Sequence, residues 1–181
     1  MLACIPRPVL ALILVLPPCP AYERRLKAGG TIAADSIKDE VVWLKQTINS
    51  ACGLYAILHA VCNLPRAIET GSSLYRLAKL ERLECTRYLE NSKEVEDAYA
   101  RAAQSGTSNA PCAEDEVDHH YICFVKHSDH LYELDGDMDG PTDRGLLEGE
   151  ETLTMTAVDI IKQYLDSQGD EAFGLLALIE E

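Results

Sequence analysis

The sequence is poor in basic residues, and this shortage restricts the partners that the protein can bind. Among its 181 residues there are 16 Lys and Arg but 30 Asp and Glu, which gives a formal net charge of −14. Nucleic acids and anionic membranes are bound through basic patches, so the charge argues against both as partners. It suits a partner with a basic surface or tail, although acidic residues also serve solubility alone.

The cysteines lack the spacing of a disulfide framework or of a zinc site. Seven of them are spread over positions 4, 19, 52, 62, 85, 112 and 123, and no CxxC motif occurs. The number is odd and the gaps are wide. We therefore expect reduced thiols in the cytosol or nucleus, with no metal and no other cofactor.

Long hydrophobic runs are also missing. The run Val9–Leu16 is too short to span a bilayer. With Arg7 before it and three prolines after it, it resembles a secretory signal peptide, but it fits a strand buried on both faces equally well. The residues alone leave both alternatives open.

The length fits one domain, and a composition of 47% hydrophobic and 25% charged residues is typical of globular proteins. A polar connection is predicted at 23–40. Hydrophobic spacing and capping residues predict the other elements. These are a short strand at 41–44, helices at about 72–83, after the capping box 91–94 and at 156–168, and a last strand at 173–179.

Residues 46–63 form the most informative stretch. Hydrophobic side chains recur with helical spacing at Leu54, Ile57, Leu58 and Val61. With Asn49 or Ser50 as the cap, Cys52 lies in the first helical turn, where free N–H groups and the helix dipole favour a thiolate. Gln46 precedes the helix and is a candidate oxyanion donor. The alternative is that Cys52 is a small buried core residue.

Two β-like segments on either side of residues 126–129 predict a hairpin. With a four-residue loop, the register places His120 directly opposite Asp135 on one face of the sheet. A carboxylate on one ring nitrogen leaves the other nitrogen to take a thiol proton. His119 would face the other way, and a slip of one residue would favour it. The alternative is a surface hairpin with two exposed histidines.

A cysteine at a helix start, an amide before it, and a later histidine and aspartate together indicate a papain-like thiol hydrolase. The residues around them resemble the ubiquitin carboxyl-terminal hydrolase family. The matching segments are Pro6-Arg7-Pro8-Val9, Gln46-Thr47-Ile48, Ala51-Cys52-Gly53, His59-Ala60-Val61, Asn63, Tyr88-Leu89-Glu90-Asn91, Val117-Asp118-His119-His120-Tyr121-Ile122 and Leu131-Tyr132-Glu133-Leu134-Asp135-Gly136.

The resemblance implies an α/β fold of the papain-like α/β/α kind, with a mainly antiparallel six-stranded sheet between helices. It implies one catalytic domain over 1–181, with a crossover loop at about 98–117 above the active site. The resemblance also implies a role for each candidate residue. Cys52 would be the nucleophile, His120 the general base and acid, Asp135 the residue that orients His120, and Gln46 an oxyanion donor.

The implied substrate is ubiquitin or a ubiquitin-like protein that carries a small or flexible adduct on its C-terminal glycine. The resemblance favours Val9–Leu16 as a core strand, so no signal peptide is expected, and we expect a cytoplasmic or nuclear monomer. Two departures stand out: family members usually have a further helical and strand segment before this strand, and Asp137 stands where many have Arg. The alternative function is therefore a catalytically impaired ubiquitin-binding pseudoenzyme.

Overall fold

The computed structural model of the protein describes residues 8–28, 41–64, 66, 68–105, 119–149, 152–165 and 173–180. In these ranges the chain forms five strands and six helices. In chain order they are β1 (Val9–Leu16), α1 (Pro20–Ala28), α2 (Cys52–Cys62), α3 (Ser73–Leu77), α4 (Arg82–Asn91), α5 (Lys93–Ser105), β2 (His120–His127), β3 (His130–Leu134), β4 (Thr142–Leu146), α6 (Thr152–Leu165) and β5 (Gly174–Ile179).

The five strands form one sheet in the order β4-β3-β2-β1-β5, and every neighbouring pair is antiparallel. β1 pairs with β2 on one side and with β5 on the other. Its side chains Leu12 and Leu16 are fully buried. The apolar run near the start of the chain is therefore a core strand, as the resemblance implied, and an unbroken apolar run suits a strand covered on both faces.

Helices cover both faces of the sheet. On one face α6 and Tyr22 of α1 contact the alternate side chains Leu12, Leu14, Ile122, Phe124 and Leu131. On the other face α2 contacts Ala11, Ile13, Cys123, Val125 and Leu134. A further apolar cluster joins α2 to α3 and α4. The predicted α/β/α architecture with an antiparallel sheet is confirmed, with five strands among the described residues where six were expected, and α2 is buried between the sheet and the outer helices.

The strand predicted at 41–44 is not formed, although the segment is held firmly. Asn63, the residue that caps the end of α2, accepts from the N–H of Val42 at 2.9 Å and donates to its carbonyl at 2.8 Å. His59, one turn earlier, accepts from the N–H of Leu44 at 3.0 Å. The backbone groups that a sheet would pair are thus satisfied by side chains of α2.

The stretch 23–40 was predicted as a connection, but residues 23–28 belong to α1 and 29–40 lie outside the described residues. The helix predicted at 72–83 is broken after Leu77, and α4 begins at Arg82. Of the crossover loop predicted at about 98–117, residues 98–105 form the second half of α5 and 106–117 lie outside the described ranges. β4 was not predicted because its sequence, TDRGL, lacks apolar alternation.

The edge of the sheet formed by β5 carries exposed apolar side chains. On β5, which pairs only with β1 among the described strands, Leu175, Leu176 and Leu178 are 40%, 56% and 37% exposed. Among the described residues, no helix has the length and apolar character needed to cross a membrane.

Candidate active site

Cys52 is the first residue of α2, and only 8% of its surface is exposed. The cap is Ala51 rather than Asn49 or Ser50, because Ser50 adopts a left-handed turn conformation with φ of 55° and the helix begins after it. Ala51 has no side-chain acceptor. The N–H groups of the first turn therefore carry no cap from this residue, which leaves them suited to a developing negative charge.

His120 and Asp135 are in contact, but through a different register from the one predicted. The hairpin loop has two residues, Ser128 and Asp129, with φ of 47° and 63°, and His127 pairs with His130. Such left-handed pairs close two-residue hairpins. Compared with the predicted four-residue loop, the two-residue loop shifts the pairing of β2 with β3 by two residues. Because the shift is even, His120 and Asp135 stay on the same face of the sheet. The predicted direct opposition of His120 and Asp135 is therefore wrong, but the two side chains still meet diagonally, with His120 Nε2 and Asp135 Oδ1 2.8 Å apart.

The charge around His120 favours its imidazolium form. Burial lowers the pKa of His120, but hydrogen bonds to Asp135 and to Cys52, with the charges of Asp135 and Asp137, raise it to about 10. Because Nε2 contacts Asp135, Nδ1 is the nitrogen left for Cys52. Nδ1 also lies 3.6 Å from Asp137 Oδ2, so Asp137 adds to the negative charge beside the ring.

The ring of Tyr22 on α1 packs against the face of the His120 imidazole. The two rings are stacked with centroids 4.8 Å apart and an angle of 28° between their planes. The Tyr22 hydroxyl lies 3.5 Å from Asp137 Oδ2 as a donor. The sequence did not point to Tyr22, because most of α1 falls in the stretch 23–40 that was predicted as a connection and Tyr22 directly precedes it. The signal available was one aromatic residue at the start of a polar stretch.

Gln46 reaches the site through a doubly anchored segment. Its N–H donates to the Gly136 carbonyl at 2.9 Å, and Trp43 Nε1 donates to the Asp135 carbonyl at 2.9 Å. A Cβ at Gly136 would lie 2.7 Å from Gln46 Cβ, a contact that no side chain tolerates. Gly136 therefore permits the close approach that links the Gln46 segment to the Asp135 turn.

Gln46, Cys52 and His120 line one groove of about 370 Å³ together with His119, and Asp135 lies buried beside His120. His119 is exposed, and its carbonyl oxygen, 3.8 Å from Cys52 Sγ, accepts from the thiol. The other walls come from the end of β1 and from α1, through Pro17, Pro18, Tyr22, Glu23 and Leu26. Cys52, His120, Asp135 and Gln46, predicted from distant parts of the chain, are thus brought together, whereas the His119 ring has no described contact with Asp135.

His59, Cys62 and Cys123 are buried titratable residues outside the groove, and each has a structural role. Burial lowers the pKa of His59 to about 4, so it is a neutral ring that holds Leu44. Burial raises the pKa of Cys62 to about 12 and also raises the pKa of Cys123, so these thiols stay protonated.

Ligand atoms of His120, Asp135 and Asp137 lie within 4.8 Å of one another, as a metal site would require. However, His120 Nε2 is already engaged by Asp135 Oδ1 at 2.8 Å, and the same oxygen accepts from the Asp137 N–H at 2.9 Å. The arrangement is that of a hydrogen-bonded pair suited to proton transfer.

The chain is similar in sequence to known proteins of one family. Residues 1–166 match a family model described as ubiquitin carboxyl-terminal hydrolase, family 1. The chain is 33% identical over 186 residues to ubiquitin carboxyl-terminal hydrolase 3 of Arabidopsis thaliana, covering 98% of this chain and 78% of that protein. It is 30% identical over 185 residues to the human ubiquitin carboxyl-terminal hydrolase isozyme L1, covering 98% and 81%.

The fold is similar to the Trichinella spiralis UCH37 catalytic domain, solved bound to ubiquitin vinyl methyl ester. The TM-score is 0.73 at 21% identity, and 97% of this chain and 78% of that chain are covered. The range matched by the family model includes all four candidate site positions.

Proposed function

Because the chain belongs to the ubiquitin carboxyl-terminal hydrolase family, we propose that it is a thiol-dependent hydrolase that removes small or flexible adducts from the C-terminal glycine of ubiquitin or a ubiquitin-like protein. The observation that carries the proposal is the 2.8 Å contact between His120 and Asp135 in the groove that contains Cys52. A cysteine at a helix start beside an oriented histidine is the arrangement that nucleophilic acyl transfer requires.

In the proposed reaction, Cys52 and His120 form a thiolate–imidazolium pair in which the Cys52 proton is held at His120 Nδ1, and the thiolate sulfur attacks the glycine carbonyl carbon. The carbonyl oxygen gains the negative charge and is stabilised by the Gln46 amide and by the Cys52 N–H. His120 then gives its proton to the departing group of the adduct, which leaves an acyl thioester on Cys52. Water adds to the thioester with His120 as base, and the thiol is restored. Asp135 keeps the ring oriented throughout.

Charge and similarity support ubiquitin as the partner. The net charge of −14 suits a basic, flexible tail, and a related catalytic domain has been solved with a ubiquitin ester bound. We further propose one catalytic domain over 1–181, a crossover loop within 106–117, and a monomer in the cytoplasm or nucleus. The size of the leaving group would then be restricted by that loop.

A ubiquitin probe with a vinyl methyl ester at its C-terminus tests the proposal. We expect covalent capture, with the modification located on Cys52 by peptide mass spectrometry, and no adduct with unmodified ubiquitin as the control. Tight binding of the probe without capture would instead support the ubiquitin-binding pseudoenzyme. Neither capture nor binding would contradict both functions.

Gln46→Ala is expected to reduce kcat about a hundredfold, with a smaller effect on KM, because one oxyanion donor is worth about this much in acyl transfer. The measurement is hydrolysis of a fluorogenic ubiquitin substrate. The matched control is Gln104→Ala, which removes the same side chain from an exposed position on α5. An effect confined to KM would identify Gln46 as a substrate contact rather than an oxyanion donor.

A further inference from the structure

An arginine on α1 lies directly behind the His120–Asp135 pair. Arg25 Nη1 is 3.7 Å from Asp135 Oδ2, and only 15% of the arginine side chain is exposed. The same nitrogen donates to Glu133 Oε1 and, at 2.9 Å, to the Tyr164 hydroxyl, while Nη2 donates to Thr142 Oγ1 at 3.2 Å. The guanidinium group is therefore held by residues of β3, β4 and α6.

The two carboxylate oxygens of Asp135 have different surroundings. Oδ1 accepts from His120 Nε2 at 2.8 Å and from the Asp137 N–H at 2.9 Å. Oδ2 is buried and accepts no hydrogen bond from the part of the chain that the structure describes. The Asp135 side chain is wholly buried, and a buried carboxylate needs a compensating charge. Arg25 supplies a positive charge on the side opposite His120.

Arg25 is not needed merely to neutralise its other acidic neighbour. Glu133 is fully buried, and its Oε1 accepts from the Tyr164 hydroxyl at 2.8 Å as well as from Arg25. Its Oε2 accepts from Arg144 Nε at 2.7 Å, and Arg144 Nη2 lies 2.5 Å away. Glu133 thus has a second arginine of its own, which leaves the charge of Arg25 shared with Asp135.

We propose that Arg25 is a positioning residue for His120 and acts through Asp135, an inference that rests on the proposed function. The guanidinium group keeps the Asp135 carboxylate ionised and fixed, and the carboxylate orients the imidazole. Arg25 lies behind the pair and needs no contact with substrate for this role. Among the described residues, the charged and titratable groups around Asp135 and its neighbours are His120 from β2, Tyr22 and Arg25 from α1, His59 from α2, Glu133 from β3, Arg144 from β4, Tyr164 from α6 and Asp137 from the following turn.

The positive charge of Arg25 stabilises the ionised form of the Asp135 carboxylate. Burial raises the pKa of Asp135, but the hydrogen bond and charge of His120, the Asp137 N–H and the charge of Arg25 hold it below its ordinary value. Removing a positive charge makes every nearby acid bind its proton more tightly. Loss of Arg25 should therefore raise the pH at which the Cys52–His120–Asp135 site loses protons.

The experiment compares Arg25→Gln with Arg24→Gln, which removes the same charge from the exposed face of α1. The pH dependence of Cys52 alkylation by iodoacetamide is followed by peptide mass spectrometry. Arg25→Gln should raise its midpoint by about half a pH unit, less than the one to three units by which an adjacent arginine shifts a carboxylate, because Arg25 lies beside Asp135 and not beside Cys52. In hydrolysis of a fluorogenic ubiquitin substrate, kcat should fall about tenfold with little change in KM. Arg24→Gln should change neither, and Arg25→Lys should restore the midpoint by restoring the charge.

Glu133→Gln gives an independent result if Arg25→Gln does not fold. Removal of this negative charge should move the alkylation midpoint downward, opposite to the effect of Arg25→Gln. An unchanged midpoint in the folded variants, with only a loss of stability, would overturn the positioning role. The alkylation profile needs no ubiquitin, so this inference can fail while the probe still captures Cys52, and failure of capture leaves the profile measurable.

Discussion

Cys52→Ala is expected to abolish hydrolysis of a fluorogenic ubiquitin substrate while ubiquitin binding is kept. In the proposed reaction the sulfur forms the acyl bond, and Cys52 is the one thiol among the described residues that line the groove. Loss of a nucleophile of this kind typically costs about a millionfold in kcat. Binding should persist because the Cys52 side chain is small and its residue only 8% exposed, so it offers little contact area.

The matched control is Cys62→Ala on the same helix. Cys62 is buried, and burial raises the pKa of its thiol to about 12, so it takes no part in the proposed chemistry. This variant should keep turnover, apart from a modest loss of stability from the small cavity. Turnover by Cys52→Ala near the rate of the unmodified protein would disprove the nucleophile assignment, and loss of ubiquitin binding would show that Cys52 also shapes the binding surface.

The sequence predicted the candidate site better than the elements that carry it. Alternation along a strand depends only on parity, so His120 and Asp135 stay on one face even though the loop has two residues instead of four. The helical spacing after Cys52 was equally robust because apolar residues recur over three turns. The cap was wrong because Ser50, a good capping residue, is used in the preceding turn, with φ of 55°.

What could not be predicted depends on contacts between distant, polar segments. Hydrophobic periodicity identifies elements that bury an apolar face, whereas α1 contributes polar contacts through Tyr22 and Arg25. The same holds for segment 41–44, which was predicted as a strand from its β-like composition but whose backbone bonds to the side chains of His59 and Asn63. A single sequence shows which residues can bond, but their partners follow only from the packed fold.

Replacing each of the two adjacent histidines should separate their roles. His120→Ala is expected to remove turnover and to raise the pH needed to alkylate Cys52, because the imidazolium that stabilises the thiolate is lost. His120 fits this role because its ring contacts Asp135 at 2.8 Å and its pKa is raised to about 10, despite burial, by Asp135, Cys52 and Asp137. Loss of the general base alone costs at least about a thousandfold in comparable sites.

His119→Ala is the matched control, since it removes an identical ring one residue away. His119 is exposed and offers Cys52 only its backbone carbonyl oxygen, which alanine retains. It should therefore keep turnover within a few-fold and leave the alkylation profile in place. Asp135→Asn should fall between the two, because it misorients the imidazole without deleting it. If His119→Ala shifts the alkylation profile and His120→Ala does not, the ring that activates Cys52 is His119 and the proposed base is wrong.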